Sequence, residues 1–374
     1  MDKSTNIVLV NQTTGYLMID IVNAYRKSYK DVTLIAGTIS KGERELLDVK
    51  IDKIIKYNKS NKYNRIITWL IATLQIFFKL LFKYRKSYVV YVTNPPLSYF
   101  CSLLLPNKFC IIVYDIYPEA LKNIGIGEQN IIYRIWDNLN RKIFKKAECI
   151  YTLSNGMKNL LSKYETKGDI KVIPNWSSVT FKNVNRQENP FIAKYNLLDK
   201  FVIMYSGNVG YTHNVETIID LAIQLKDEKD IQFIIIGEGG KKELLIKIAE
   251  ENMLSNCLFL DYQPAKELAN SLSAADVSVV TLTKNTEFVS VPSKTYNLLS
   301  VGSPLLCIAS HESEIGILVK EKECGKCFEQ HEMAEMIQYI HQVKDNPEYK
   351  LLLRNNALMA SEAFTYENAN QYVN

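Results

Sequence analysis

The stretch FVIMYSGNVGYTHNVETIIDLA, residues 201–222, decides the fold. Phe201–Tyr205 is apolar without a break, as expected of a strand covered on both faces of a parallel sheet. Gly207-Asn208-Val209-Gly210 follows, and an amphipathic helix begins near Asn214. Glycines let the backbone turn tightly and come close to a ligand. The start of a helix offers free N–H groups and the positive end of a dipole. That suits a phosphate at the carboxyl end of the strand.

The same unit recurs on either side. FIIIGEGGKKELL (233–245) is a strand, a glycine-rich turn at Gly237-Glu238-Gly239-Gly240, and a helix. In VSVPSKTYNLLSVGSPLLCIA (289–309), Pro292-Ser293-Lys294 precedes a helix that stops at Gly302, and a strand follows. Ser293 is expected to cap that helix. Lys294 in the first turn opposes the helix dipole, which makes sense if a bound anion sits there too. Neither glycine turn is G-x-G-x-x-G with an acid about 20 residues on, a Walker lysine is absent, and no D-x-D occurs.

Strands are expected at 201–205, 231–236, 257–260, 277–281 and 304–308. In the first half they are expected at 6–10, 32–36, 88–92, 110–114, 148–152 and 171–173. Helical stretches separate them, among them 16–29, 130–146, 214–226, 240–251, 264–274 and 293–301. Such alternation, repeated twice in 374 residues, predicts two doubly wound α/β domains with parallel sheets. The expected division is 1–185, 186–355 and a C-terminal helix over 356–374 that crosses back to the first domain.

The net charge of +5 hides an asymmetry. Residues 1–185 hold 28 Lys and Arg against 14 Asp and Glu; residues 186–374 hold 17 against 26. The basic excess lies partly around residues 53–88. Lys53, Lys56, Lys59, Lys62 and Arg65 recur every third residue, IITWLIATLQIFFKLLF (66–82) follows, and Lys83, Arg85 and Lys86 close it. A spanning helix needs about 20 apolar residues. This run is shorter and holds Gln75 and Lys79. Three readings stand: a helix buried in the core, one that packs on the sheet and turns its other face to an anionic membrane, or a true transmembrane span, against which its length and inner charge speak. No finger, helix-turn-helix or RNP pattern supports nucleic acid. The seven dispersed cysteines point to a reducing compartment, and Cys324-x-x-Cys327 lacks a second ligand pair for zinc. The N-terminal IVLV reads as a first strand, with no signal peptide expected.

In the basic half, VYVTNPPLSYF (90–100) and IIVYDIYPEAL (111–121) place loops after strands. Asp115 then faces the crevice at a carboxyl end, where it would orient or deprotonate an acceptor hydroxyl. Asn94, Glu119 and Gly15 are the other acceptor-side candidates.

Together YSGNVGYTHNVE, IIIGEGGKKELL, SVPSKTYNLLSVGSP and NPPLSYF…YDIYPEAL resemble the family 4 glycosyltransferases of the GT-B fold. The branch is the one that builds bacterial surface polysaccharides such as capsule and O-antigen, over residues 65 to 365 or so. The resemblance implies a retaining, metal-independent enzyme without a cofactor. It would move a sugar from a nucleoside diphosphate, UDP by expectation, to a lipid-linked saccharide at the inner face of the plasma membrane. It implies that Gly207, Asn208, Gly210, His213, Gly237, Glu238, Gly239, Pro292, Ser293, Tyr296 and Asn297 surround the donor, with Lys294 and Asp115 catalytic. The family's pair of glutamates eight residues apart falls here on Val289 and Asn297, with Glu287 two residues out of register. The basic residue usual after the first glycine turn is missing, and His213 is the nearest polar candidate. A donor lacking one hydroxyl would fit the lost acid at 297. The rivals are a sugar-nucleotide 2-epimerase and a degenerate, non-catalytic partner subunit.

Overall fold

The computed structural model describes residues 4–42, 44–58, 60–179, 184–210, 213–283 and 292–373. The chain forms two compact units, Met1–Asn175 with Tyr366–Asn374, and Trp176–Thr365.

The first unit is built on seven strands: β1 (Ile7–Val10), β2 (Val32–Ala36), β3 (Lys50–Lys53), β4 (Tyr88–Val92), β5 (Phe109–Val113), β6 (Ile150–Thr152) and β7 (Ile170–Val172). Their order is β3-β2-β1-β4-β5-β6-β7, all parallel. The second unit has β8 (Phe201–Ser206), β9 (Ile231–Ile236), β10 (Cys257–Leu260), β11 (Val277–Thr281), β12 (Leu305–Ile308) and β13 (Gly325–Phe328). Their order is β10-β9-β8-β11-β12-β13, again all parallel. Strands β3 and β13 were not expected from sequence. Both are edge strands, KIDK and GKCF, whose charges and glycine suit an exposed edge and hide the apolar signal. Each sheet reverses its strand order beside its first strand, between β1 and β4 and between β8 and β11. A doubly wound sheet binds ligands outside the carboxyl ends of such a pair.

The break between units comes ten residues earlier than 185/186 because residues 176–178 are tied into the second unit. Trp176 is fully buried. Asn297 Oδ1 accepts from Ser178 N at 2.8 Å and Ser177 Oγ at 3.0 Å. The expected helix over 356–374 is two elements. Helix Pro347–Ser361 belongs to the second unit, and the 3-10 turns of Tyr366–Tyr372 belong to the first. There the Tyr372 carbonyl accepts from Tyr25 Oη at 2.7 Å and Tyr151 Oη at 3.1 Å.

Helix Lys62–Phe82 is capped by Asn61, whose side chain accepts from Asn64 N at 2.8 Å. Thr68, Ala72, Ile76 and Leu80, four apart, form its buried stripe. Ile66, Ile67, Leu70, Leu74 and Phe78 are exposed, and Phe82 is 78% exposed. The helix is therefore apolar all round but buried on one side only. Its inner end is pinned by Asp52 of β3, which pairs with Lys79, with Lys83 at 2.7 Å and with the Tyr84 hydroxyl at 2.8 Å. Burial alone would raise the Asp52 carboxyl; those three partners bring it down to about 2.

Candidate functional site

Beside the second unit's switch point the two glycine turns that follow β8 and β9 are laid against each other. Gly207 N donates to Ile236 O at 2.9 Å, and Val209 N to Glu238 O at 2.9 Å. At Gly237, φ is +146° and a Cβ would lie 1.8 Å from Gly207 O. At Gly239 a Cβ would lie 2.3 Å from Val209 O. Only glycine permits this approach. The Tyr205 hydroxyl donates to Asn208 O at 2.7 Å and holds the first turn. Gly210 closes it by accepting from His213 N at 3.2 Å.

Lys294 reaches this turn from the first residue of helix Lys294–Ser300. Its Nζ lies 3.7 Å from the centroid of the Tyr205 ring and 3.3 Å from where a Cβ of Gly207 would be. The residue is partly exposed, but Nζ itself is sealed from solvent and has no hydrogen-bond partner among the described residues. Desolvation pushes the ammonium down to about 7. The ring face offers some compensation, but a buried cation without an anion is costly.

His213 stands beside it. Its Nδ1 lies 3.0 Å from the Thr281 carbonyl, so in the neutral ring Nδ1 carries the hydrogen and Nε2 the lone pair. Burial lowers its pKa, the Thr281 bond opposes this, and Lys294 and Lys241 add to the lowering. Asn214 ties the same loop to β11, its N donating to Thr281 Oγ1 at 3.1 Å and its Nδ2 to Leu282 O at 3.1 Å. A cavity of about 180 Å³ opens next to it, lined by Asn214, Leu282, Ile308, Ala309, Ser310, Glu329 and Gln330. Sequence reading missed Tyr205, Asn214 and Thr281, although each flanks a glycine turn or ends a strand.

Three donor-side candidates behave differently from expectation. Tyr296 is 2% exposed and packs on Phe364 with ring centroids 4.8 Å apart, so it is a core residue. Ser293 is exposed, has helical backbone angles and makes no cap bond. Asn297 has its carbonyl oxygen filled by Ser177 and Ser178. Glu238 pairs with Lys242 at 2.7 Å. Pro292 accepts from Thr295 N at 2.9 Å and starts the turn into the helix. Glu287 and Val289 lie outside the described residues.

The first unit's switch point is polar instead of cationic. Gln12, after β1, is fully buried, and its Nε2 donates to Thr68 O at 3.1 Å and Ile55 O at 3.2 Å. Asn94, after β4, accepts from Gln12 N at 2.8 Å through its carbonyl. Thr93 Oγ1 accepts from Tyr114 N at 3.0 Å and Asp115 N at 3.1 Å, which fixes the turn that carries Asp115. Asp115 is exposed, as a group that meets an acceptor must be. Loss of hydration in the crowded turn still raises its pKa. Gln12 Oε1, Thr13 Oγ1 and Tyr114 Oη are buried with no partner among the described residues. Gly15 precedes helix Tyr16–Ser28 with ordinary extended angles and open space at its Cβ position. Glu119 is not free for an acceptor. It is claimed by Lys122 at 2.7 Å, by Lys163 and by the Tyr133 hydroxyl at 2.7 Å. Burial would raise its pKa, and these partners outweigh it to lower it.

Comparison with known proteins agrees with this geometry. Residues 187–358 match the family model described as glycosyl transferases group 1. The glycosyltransferase WbjE of Pseudomonas aeruginosa is 27% identical over 328 residues, 84% of this chain and 81% of its own. The colanic acid biosynthesis glycosyl transferase WcaI of Escherichia coli K12 is 27% identical over 252 residues, 65% of this chain and 61% of its own. The Anabaena protein HepE, solved in complex with UDP, superposes with a TM-score of 0.72 over 99% of this chain and 98% of its own, at 13% identity. The chain is thus a glycosyltransferase with the GT-B fold, and its residues 187–358 match the glycosyl transferases group 1 model.

Proposed function

We propose that the enzyme transfers a sugar, with retention at the anomeric carbon, from a UDP-linked donor to a lipid-linked saccharide in surface-polysaccharide assembly. The observation that carries this reading is Lys294, whose sealed ammonium at the Gly207 turn has no anion beside it among the described residues. A donor diphosphate would supply one. Lys294 and the loop amides would then stabilise the charge that builds on the leaving diphosphate, the largest single term in many enzymes. Neutral His213 would accept a hydrogen bond from the donor through Nε2. Asp115 would orient or deprotonate the acceptor hydroxyl. With a fixed cation in place the reaction is proposed to need no metal, so EDTA should leave the rate unchanged. HepE has been solved with UDP-glucose, and WcaI is named for colanic acid biosynthesis, which supports the donor and pathway class. A deoxy or N-acetamido donor sugar remains the proposal for the site around Asn297.

The apolar face of helix Lys62–Phe82, flanked by Lys53, Lys56, Arg65, Arg85 and Lys86, is proposed to rest on the anionic inner membrane surface. Sugar transfer by the purified protein from a panel of UDP-sugars to a polyprenyl-diphosphate-linked saccharide tests the activity. No transfer from any of them would defeat it. Sedimentation with anionic vesicles, weakened by salt and abolished by Leu74→Glu with Phe78→Glu, tests the surface. Equal binding by that variant would defeat it.

A further inference from the structure

One aromatic cluster in the first unit has no role in the steps above. Tyr57 and Trp69 stack with centroids 5.7 Å apart and planes 12° apart. Arg65 lies 5.5 Å over the Trp69 ring, and its Nε donates to the Tyr57 hydroxyl at 3.0 Å. A second pair, Tyr117 and Trp136, stacks at 5.0 Å and 15°. Asp115, Arg65 and Tyr57 all lie close enough to Tyr117 to act on its phenol. Two stacked pairs, one arginine and the candidate base therefore share one place.

The cluster is rigid and open. Trp136 Nε1 donates to the Tyr99 hydroxyl at 2.8 Å, which donates to Asn140 Oδ1 at 3.0 Å. Asn140 Nδ2 in turn donates to the Tyr117 carbonyl at 2.6 Å. Yet Tyr57, Trp69, Tyr117 and Trp136 are only half-buried and Arg65 is exposed. Stacked rings that served packing alone would be covered. The exposed apolar row of the helix begins at Ile66 and Ile67, next to Arg65. The oxygens of Gln12, Thr13 and Tyr114 that have no partner among the described residues sit at the carboxyl ends of β1 and β5, the ends from which the Tyr117 loop also departs.

We propose that this cluster is the acceptor subsite: a pyranose of the acceptor stacks on Tyr117 and Trp136, and Arg65 holds the phosphate that links it to its lipid. The flat C–H face of a sugar fits a half-exposed aromatic ring. Arg over an aromatic ring is a preorganised fork for phosphate. Lipid would leave along the apolar row, and a sugar hydroxyl would come to Asp115, two residues from Tyr117. The assignment rests on the reading that the first unit takes a lipid-linked saccharide.

The chain has three tryptophans, and Trp176 is fully buried, so fluorescence reports mainly on Trp69 and Trp136. The full chain is titrated with methyl glycosides of glucose, galactose and their N-acetamido counterparts, and with the same sugars linked to farnesyl diphosphate. Wild type is expected to respond to at least one sugar in both forms and to bind the diphosphate form more tightly. Tyr117→Ala should weaken both forms roughly three- to tenfold, and Tyr117→Phe should restore them. Arg65→Ala should remove the advantage of the diphosphate form and leave the methyl glycoside unchanged. UDP binding should not change in any of these variants. If Tyr117→Ala fails to fold, Trp69→Leu serves, with the same loss for the diphosphate form. Wild type without any response, wild-type affinities in Tyr117→Ala, or equal losses for both forms in Arg65→Ala would overturn the subsite. Failure of transfer with normal probe binding would instead overturn the proposed reaction and leave the subsite standing.

Discussion

The two switch points share a strand order and differ in chemistry. At the carboxyl ends of β8 and β9 the backbone is compressed: Gly237 and Gly239 lie within van der Waals overlap of the neighbouring turn for any side chain, and one cation is sealed against Tyr205. The first unit has one such crowded point, Gly37 after β2, where a Cβ would lie 2.4 Å from Ile55 O, while Gly15 has room for a side chain. There the polar work is done by Gln12, Thr93 and Asp115 instead of a sealed cation. The same topology thus carries a sealed cation in one unit and a polar, aromatic-edged shelf in the other. A diphosphate asks for the first and a hydroxyl on a saccharide for the second.

The sharpest way to break this contrast is to remove the cation. Lys294→Met should lower transfer by about 10²–10³-fold, the range for losing a preorganised stabilising group. The same change should raise the melting temperature of the unliganded protein, because it removes a buried cation that has no partner among the described residues. An unchanged rate or a lower melting temperature would show that Lys294 is a structural residue.

The glycines come next. Gly237→Ala drives a Cβ into a backbone carbonyl and should cost on the order of 1–3 kcal/mol of stability. Gly15→Ala should cost nothing measurable by urea unfolding, while raising the acceptor KM if the acceptor passes there. Equal destabilisation by the two would erase the difference between the two turns.

The smallest effect is graded with pH. The Lys294 ammonium titrates near 7 when the site is free, and a bound diphosphate would raise that value. UDP-sugar affinity should be flat below about pH 7 and fall by up to about tenfold per unit above it, as binding then requires proton uptake. The slope should vanish in Lys294→Met. The stability cost of the buried cation has the same origin and is fully present below about 7. It fades as pH rises toward the ordinary lysine value, because only the unfolded chain stays protonated in that window.

Most of the cradle was legible in the sequence because its requirements are local. A close turn needs glycine, and Gly207, Gly237 and Lys294 each sit in a contiguous strand–turn–helix phrase. What escaped reading is what distant segments do to one another. Glu119 stands in a promising YDIYPE segment, but Lys163, from a separate part of the chain, takes its carboxylate. Tyr296 was legible in principle, since Thr295, Leu298 and Leu299 bury the same face of a short helix. The Arg65–Tyr117 neighbourhood was not, because the two are joined only by the packing of helix Lys62–Phe82 and the loop after β5. The exposure of that helix was equally hidden, since an apolar sequence does not record which of its faces the sheet covers.

Residues 366–372 fold with the first unit, where one carbonyl, that of Tyr372, takes hydroxyls from Tyr25 and Tyr151. During synthesis, residues 7–172 leave the ribosome while this last segment does not yet exist. At about 5–20 residues per second, the stretch in between takes on the order of ten seconds or more to make. The first unit must wait through that interval with Tyr25 and Tyr151 uncapped and the apolar helix already outside. The half of the enzyme that is made first is closed only after the second unit has been made.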